Sequence, residues 1–194
     1  MKIQKRHKSK MTLNEHLERL DQNQQASDHS IAKVCMKIED KFRKCGYKRI
    51  AKDGVSLVKE YVDMIFETQD YRCTFWVPTQ DGELNGIWNA PAFGMWKLRY
   101  VVYEIDHVHP MNAGGKDDLT NYQFLSANAN RFTKCSLTAE DLLRRVDLSK
   151  ALKDRLRLVA KRREDLFKSE KWKNFIERCD AFEKTDKNCP LQNK

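Results

Sequence analysis

Apolar residues recur at helical spacing in the first third of the chain. Ile31, Val34, Cys35, Ile38 and Phe42 share one face of a helix that Asp28 or Ser30 would cap, that reaches Lys44, and that Gly46 stops. Leu57, Val58, Tyr61, Met64 and Ile65 predict a second helix over Val55–Thr68. After Asp70 the period changes. Residues 71–77 read as a strand, and 78–95 as a long loop holding Asp81-Gly82, Pro91 and Gly94. Residues 96–105, rich in aromatic and β-branched side chains, read as a further strand. A shorter one over 122–125 leads into a short helix over 127–134. Helical spacing then returns. Thr138 with Asp141 resembles a capping box in which Asp replaces Glu; Asp147 or Ser149 opens a long helix to Phe167, and a last helix spans 170–182.

The first 25 residues are polar and begin with Lys2, Lys5, Arg6, Lys8 and Lys10, which predicts a basic arm with at most a short helix over 13–20. The chain thus divides into a basic mobile arm (1–27), a helical segment (28–70), a mixed core (71–135), basic helices (136–187) and a polar tail (188–194). The expected class is α+β. Hydrophobic residues are 40% of the 194, enough for one core, while 34% charged residues and only 7 Gly favour helices.

Charge narrows the partners. Lys and Arg outnumber Asp and Glu by 37 to 28, a net charge of +9, which suits a polyanion. The excess concentrates between Arg131 and Asn174, where 14 Lys and Arg face 7 Asp and Glu. Arg144, Arg145, Lys153 and their neighbours are candidates to follow a phosphate backbone; the structural alternative is a solvated helix face laced with pairs such as Asp154 with Arg157. No apolar run approaches the roughly 20 residues a membrane helix needs, so no membrane association is expected. The six cysteines include no Cys-x-x-Cys pair. They read as free thiols of a cytoplasmic protein, with no structural zinc.

Chemistry gathers between Tyr103 and Lys134. A strand ending in Asp106-His107 presents a carboxylate and an imidazole where the chain leaves the sheet. Pro110, Asn112, Gly114 and Gly115 then make a loop that can continue as neither strand nor helix. A short strand follows Asn121, and Asn130 lies on the helix after it. This order, a hairpin closed by a helix, resembles the HNH or ββα-metal endonucleases. Asn121 follows His107 by 14 residues and Asn130 follows Asn121 by 9, spacings similar to those of the Asp-His-Asn nuclease module in RNA-guided CRISPR effectors. The run Asp106-His107-Val108-His109 also looks like that of phage junction-resolving endonucleases. The likeness covers residues 70–135. It departs from the family in the two Cys-x-x-Cys pairs that hold zinc in many members: Cys73 stands alone upstream, and Ser126 and Ala129 occupy the downstream positions.

The resemblance implies a ββα-metal core flanked by helices, and hydrolysis of DNA to 5′-phosphate and 3′-hydroxyl ends. Asp106 and Asn130 would hold one Mg²⁺ or Mn²⁺, and His107 would accept the proton of the attacking water. Asn121 would pin the glycine loop so that His107 keeps one orientation. His109 would be an auxiliary metal or phosphate contact, and Arg131 and Lys134 would touch phosphate. One such site cuts one strand, so cleavage of both implies a homodimer. Two other readings stay open: a nucleic-acid-binding protein that keeps the module only for docking, and a non-specific nuclease or ribonuclease. Members of the latter kind commonly have His-His where this chain has Asp106-His107.

Overall fold

The computed structural model describes residues 26–76, 102–127 and 129–185. The expected arm up to Gln25, the loop over 78–95, the first part of the strand expected over 96–105 and the tail over 188–194 lie outside them. Helix α1 (Asp28–Lys44) is capped by Ser27, whose hydroxyl accepts from the Ser30 amide, one position before the expected cap. Val34, Ile38 and Phe42 form its buried stripe. It ends as expected at Gly46, which sits at φ +97°. The Tyr47 amide reaches the Phe42 carbonyl and the Gly46 amide that of Arg43, so glycine's access to the left-handed region closes the helix. A short helix α2 (Ile50–Asp53), which the hydrophobic pattern did not foretell, leads into α3 (Val55–Thr68). Helix α3 buries Leu57, Val58, Tyr61, Val62, Met64, Ile65 and Phe66, nearly its whole circumference, and is the centre of the protein.

The strand expected over 71–77 is not formed in residues 71–76, which turn instead. Asp70 and Tyr71 both have positive φ, +53° and +54°, which no strand residue can adopt. Contacts to both residues hold them there. The Tyr71 amide returns to the Phe66 carbonyl, and the Asp70 carboxylate takes Arg155 at 2.6 Å and Arg162 at 2.5 Å.

Strands β1 (Tyr103–His107) and β2 (Tyr122–Ser126) pair antiparallel, with Ile105 opposite Phe124 and His107 opposite Tyr122. One face of this ribbon carries Tyr103, Ile105, Tyr122 and Phe124. Phe66 of α3 packs on it, its ring centroid 5.1 Å from that of Tyr103 and 4.6 Å from that of Phe124. The other face carries Glu104, Asp106 and Gln123. The short helix expected over 127–134 is a π-helical turn over Ala129–Lys134, closed by the Cys135 amide on the Asn130 carbonyl at 3.0 Å.

Helix α4 (Ala139–Arg144) begins with the expected capping box, Thr138 and Asp141 bonding each other's backbone amides. Helix α5 (Lys150–Lys168) is capped by Ser149, and Ser169 alone separates it from α6 (Glu170–Lys184). Helix α6 returns to α2 and α3. Trp172 and Phe175 pack on Tyr61, and Glu183 accepts from the Ile50 amide at 2.7 Å. The class is α+β: among the described residues, helices surround one small antiparallel sheet.

Among the described residues the sheet has two strands and so two edges. The fully buried amide of Gln69 covers one, donating to the Phe124 carbonyl at 2.7 Å and accepting from the Phe124 amide at 3.1 Å. Gln69→Ala should strand both groups in the interior and lower the unfolding free energy by about 2–4 kcal/mol. Urea denaturation measures it, and a loss below about 0.5 kcal/mol, within the spread of neutral surface changes, would contradict the role.

Candidate active site

Asn121 organises the loop after β1. Its side-chain oxygen accepts from the His109 amide at 2.8 Å, and its nitrogen donates to the carbonyls of His109 (3.0 Å) and Lys116 (2.9 Å). Three bonds from one side chain thus tie together the backbone at His109 and Lys116. The turn that carries Asn121 is gripped from behind: Tyr61 donates to the Leu119 carbonyl at 2.7 Å, and the buried Arg163 to that of Thr120 at 2.8 Å. Gly115 is required sterically. A Cβ there would lie 2.0 Å from the His109 carbonyl oxygen, whereas Gly114 has open space and needs only its φ of +89°.

Strand alternation divides the expected catalytic residues. Asp106 faces the π-helical turn, and His107, on the next position, faces the opposite side. The His107 ring lies 5.0 Å from that of Tyr122, with Nε2 3.0 Å from Asp117 Oδ1. His109 is exposed and turned into its own loop, Nε2 2.7 Å from the Ala113 carbonyl.

The Asp106 face holds a compact polar group. Gln123 donates to Asp106 at 3.1 Å, and Asn130 donates to Glu104 at 2.9 Å. Arg131 grips Glu104 with Nε at 3.1 Å and with Nη2. Burial works to raise the Glu104 carboxyl, but the hydrogen bonds from Arg131 and Asn130 outweigh it and hold the group below the usual range. Lys134 corrects the sequence reading. Expected to reach phosphate, its side chain is 2% exposed, and Nζ lies 3.6 Å from Asp106 Oδ2 with no hydrogen-bond partner among the described residues. Burial pushes the Asp106 carboxyl up against the pull of Lys134, and pulls the Lys134 ammonium down against Asp106. The pair therefore leaves both charges poorly compensated.

Two carboxylates and an amide form a set whose oxygens are all hard, which suits Mg²⁺ or Mn²⁺ rather than zinc. Asn130 spends its nitrogen on Glu104, so the oxygen at the other end of the same amide is the atom a cation would take. Among the described residues no three His, Cys, Asp or Glu side chains converge, so an ion bound here would keep several waters, as Mg²⁺ does. Cys73, the lone upstream cysteine, is buried with its sulfur accepting from the Ser126 amide at 3.2 Å.

The basic helices carry their charge in pairs. Arg144 contacts Glu140, Arg145 contacts Asp147 with Nε at 2.9 Å, and Arg157 contacts Asp154 at 2.9 Å. Lys153 lies half-buried, close enough to Asp147 to act on its carboxyl. Arg155 and Arg163 point inward and support the fold. Exposed pairs of this kind contribute about 0–1 kcal/mol and can be exchanged for phosphate.

Glu104, Asp117 and Gln123 were not foreseen from the sequence. Glu104 was within reach of inference, since it lies two positions before Asp106 and must share its face. No match was found among protein-family models, curated proteins or solved structures. Within no helix of the described residues is there a stretch long and apolar enough to cross a membrane.

The two loop glycines should respond differently to alanine. Gly114→Ala should cost about 1–2 kcal/mol from its left-handed backbone alone. Gly115→Ala should cost more, because the carbonyl it would meet is backbone and cannot move aside. Equal denaturation midpoints for the two variants would contradict the packing described.

Proposed function

We propose that the protein is a metal-dependent DNA endonuclease of the HNH type, with a ββα-metal core over 103–134. The observation that carries the reading is the π-helical turn laying Asn130 beside the Glu104 and Asp106 face, at the end of a hairpin whose loop is tied down by Asn121. Pure backbone binding needs cations; it has no use for two carboxylates gathered where phosphate would approach.

Asp106 and the Asn130 amide oxygen are the residues to hold Mg²⁺ or Mn²⁺, with Glu104 beside them. When bound, the ion supplies charge that offsets the phosphate in the transition state. Asp106 is the last residue but one of β1 and His107 the last. The scissile phosphate crosses this strand end, where neighbours from opposite faces can both reach one group. His107 takes a proton from water, the water oxygen bonds to phosphorus, and the bond from phosphorus to the 3′ oxygen breaks. The released oxygen takes its proton from solvent. Arg131, Arg144, Arg145 and Lys153 contact the backbone on either side, giving affinity without reading sequence. A single chain nicks; a homodimer cuts both strands.

One observation favours the docking-only reading. Lys134 already lies beside Asp106, so that carboxylate is partly neutralised without any ion. Supercoiled plasmid separates the two. With Mg²⁺ the wild type should yield nicked or linear DNA, and His107→Ala should lose on the order of 10²–10⁴ in rate while still binding DNA. Near-wild-type turnover of His107→Ala would remove the assignment, and intact plasmid with the wild type would leave the docking reading. Binding should also weaken with salt, by a log–log slope near −0.9 per phosphate contact. The triple change of Arg144, Arg145 and Lys153 to Gln should flatten that slope. An unchanged slope would place the DNA elsewhere.

A further inference from the structure

His107 is held by a carboxylate that the sequence reading did not use. Asp117 lies ten residues further on, in the loop that Asn121 pins. Its Oδ1 accepts from Tyr122 Oη at 2.6 Å and lies 3.0 Å from His107 Nε2. Tyr122 is fully buried, pairs with His107 across the ribbon, and has Lys41 Nζ 5.4 Å from its ring centroid. The hydroxyl is thus fixed from the core, the carboxylate from the hydroxyl, and the imidazole from the carboxylate.

The direction of the last bond follows from the state of Asp117. Hydrogen bonds from Tyr122 and His107 hold its carboxyl below the usual range, so it is ionised near neutral pH and can only accept. His107 Nε2 must then carry the hydrogen, and in the neutral ring this leaves Nδ1 with the lone pair. Among the described residues, the other charged or titratable groups about this cluster are Asp106 on the neighbouring strand position, Asp118 in the loop, Lys41 of α1 and Cys45 at its C-cap.

We propose that Asp117, anchored by Tyr122, is the positioning residue of His107: it fixes the Nε2–H form of the ring and so presents Nδ1 as the proton acceptor. The proposal rests on His107 being the base of the endonuclease reading. As the water O–H bond breaks and its proton moves to Nδ1, the ring becomes a cation whose Nε2–H already points at Asp117. The carboxylate stays ionised throughout and stabilises that cation, as the buried aspartate does in a Ser-His-Asp triad. Without it the ring is free to rotate or to change tautomer, and fewer encounters are productive.

The test uses the full chain. An imidazole N–H exchanges with water too fast to be seen unless it is hydrogen-bonded. A ¹H–¹⁵N spectrum, with the His107 signal assigned by its absence from His107→Ala, should therefore show the Nε2–H proton in the wild type. Asp117→Ala should lose it. In Mg²⁺-dependent plasmid nicking, Asp117→Asn should lower kcat at least about tenfold, the scale of outer partners of functional histidines, with KM little changed. Tyr122→Phe should cause a smaller loss of the same kind. Circular dichroism reports folding, and if Asp117→Ala does not fold, Asp117→Asn and Tyr122→Phe decide. A wild type without the Nε2–H signal, a signal unmoved by Asp117→Ala, or an unaltered kcat in Asp117→Asn would overturn the proposal. A protein that shows the signal and its loss yet cuts no DNA would remove the endonuclease reading while upholding the tautomer assignment.

Discussion

A two-stranded ribbon is marginal in water by itself, and everything in the candidate site hangs on this one. The buried amide of Gln69 takes the place of a third strand at Phe124, satisfying its amide and its carbonyl together. Gln69 also ends α3, and its carbonyl receives Arg155 of α5. One residue therefore joins the central helix, the outer strand and the C-terminal helices. Phe66, three positions earlier, packs on the same ribbon, so the hairpin is positioned by the end of α3 twice over, once by hydrogen bonds and once by aromatic packing.

From that frame the loop and its two faces follow. Tyr61 and Arg163 hold the carbonyls of the turn before β2, the turn presents Asn121, and Asn121 closes the loop on His109 and Lys116. The two sides of the ribbon then have different characters. On one, His107, Asp117 and Tyr122 form a chain of hydrogen bonds leading into the core. On the other, Glu104, Asp106, Gln123, Asn130 and Lys134 gather beneath the π-helical turn. Sequence-adjacent residues on a strand are divided in this way by the pleat alone. Chemistry that needs both must take place at the strand's end.

Local signals were legible where they act locally. The stripe of α1, its Gly46 stop, the bounds of α3 and the Thr138–Asp141 box could all be read from spacing, because each depends on neighbours within one or two turns. The hairpin of β1 and β2 was also within reach, through the order strand, loop, strand, helix. The strand expected after Asp70 failed for a non-local reason. Its aromatic residues favour a strand, but Arg155 and Arg162, some 90 positions away, hold Asp70 in a turn. Lys134 failed similarly: a lysine at the end of a short helix reads as exposed unless one knows that Asp106 lies beside it. Asp117 had no periodic or motif signal, since its role depends on a loop folding back ten residues.

The central claim is that the Glu104, Asp106 and Asn130 face holds a single divalent ion, and electron paramagnetic resonance of Mn²⁺ tests it without substrate. Titration of the wild type should show one bound Mn²⁺ per chain, and Asp106→Asn should abolish that binding while the fold is retained. Free Mn²⁺ at every ratio, or the same bound ion in Asp106→Asn, would contradict the account.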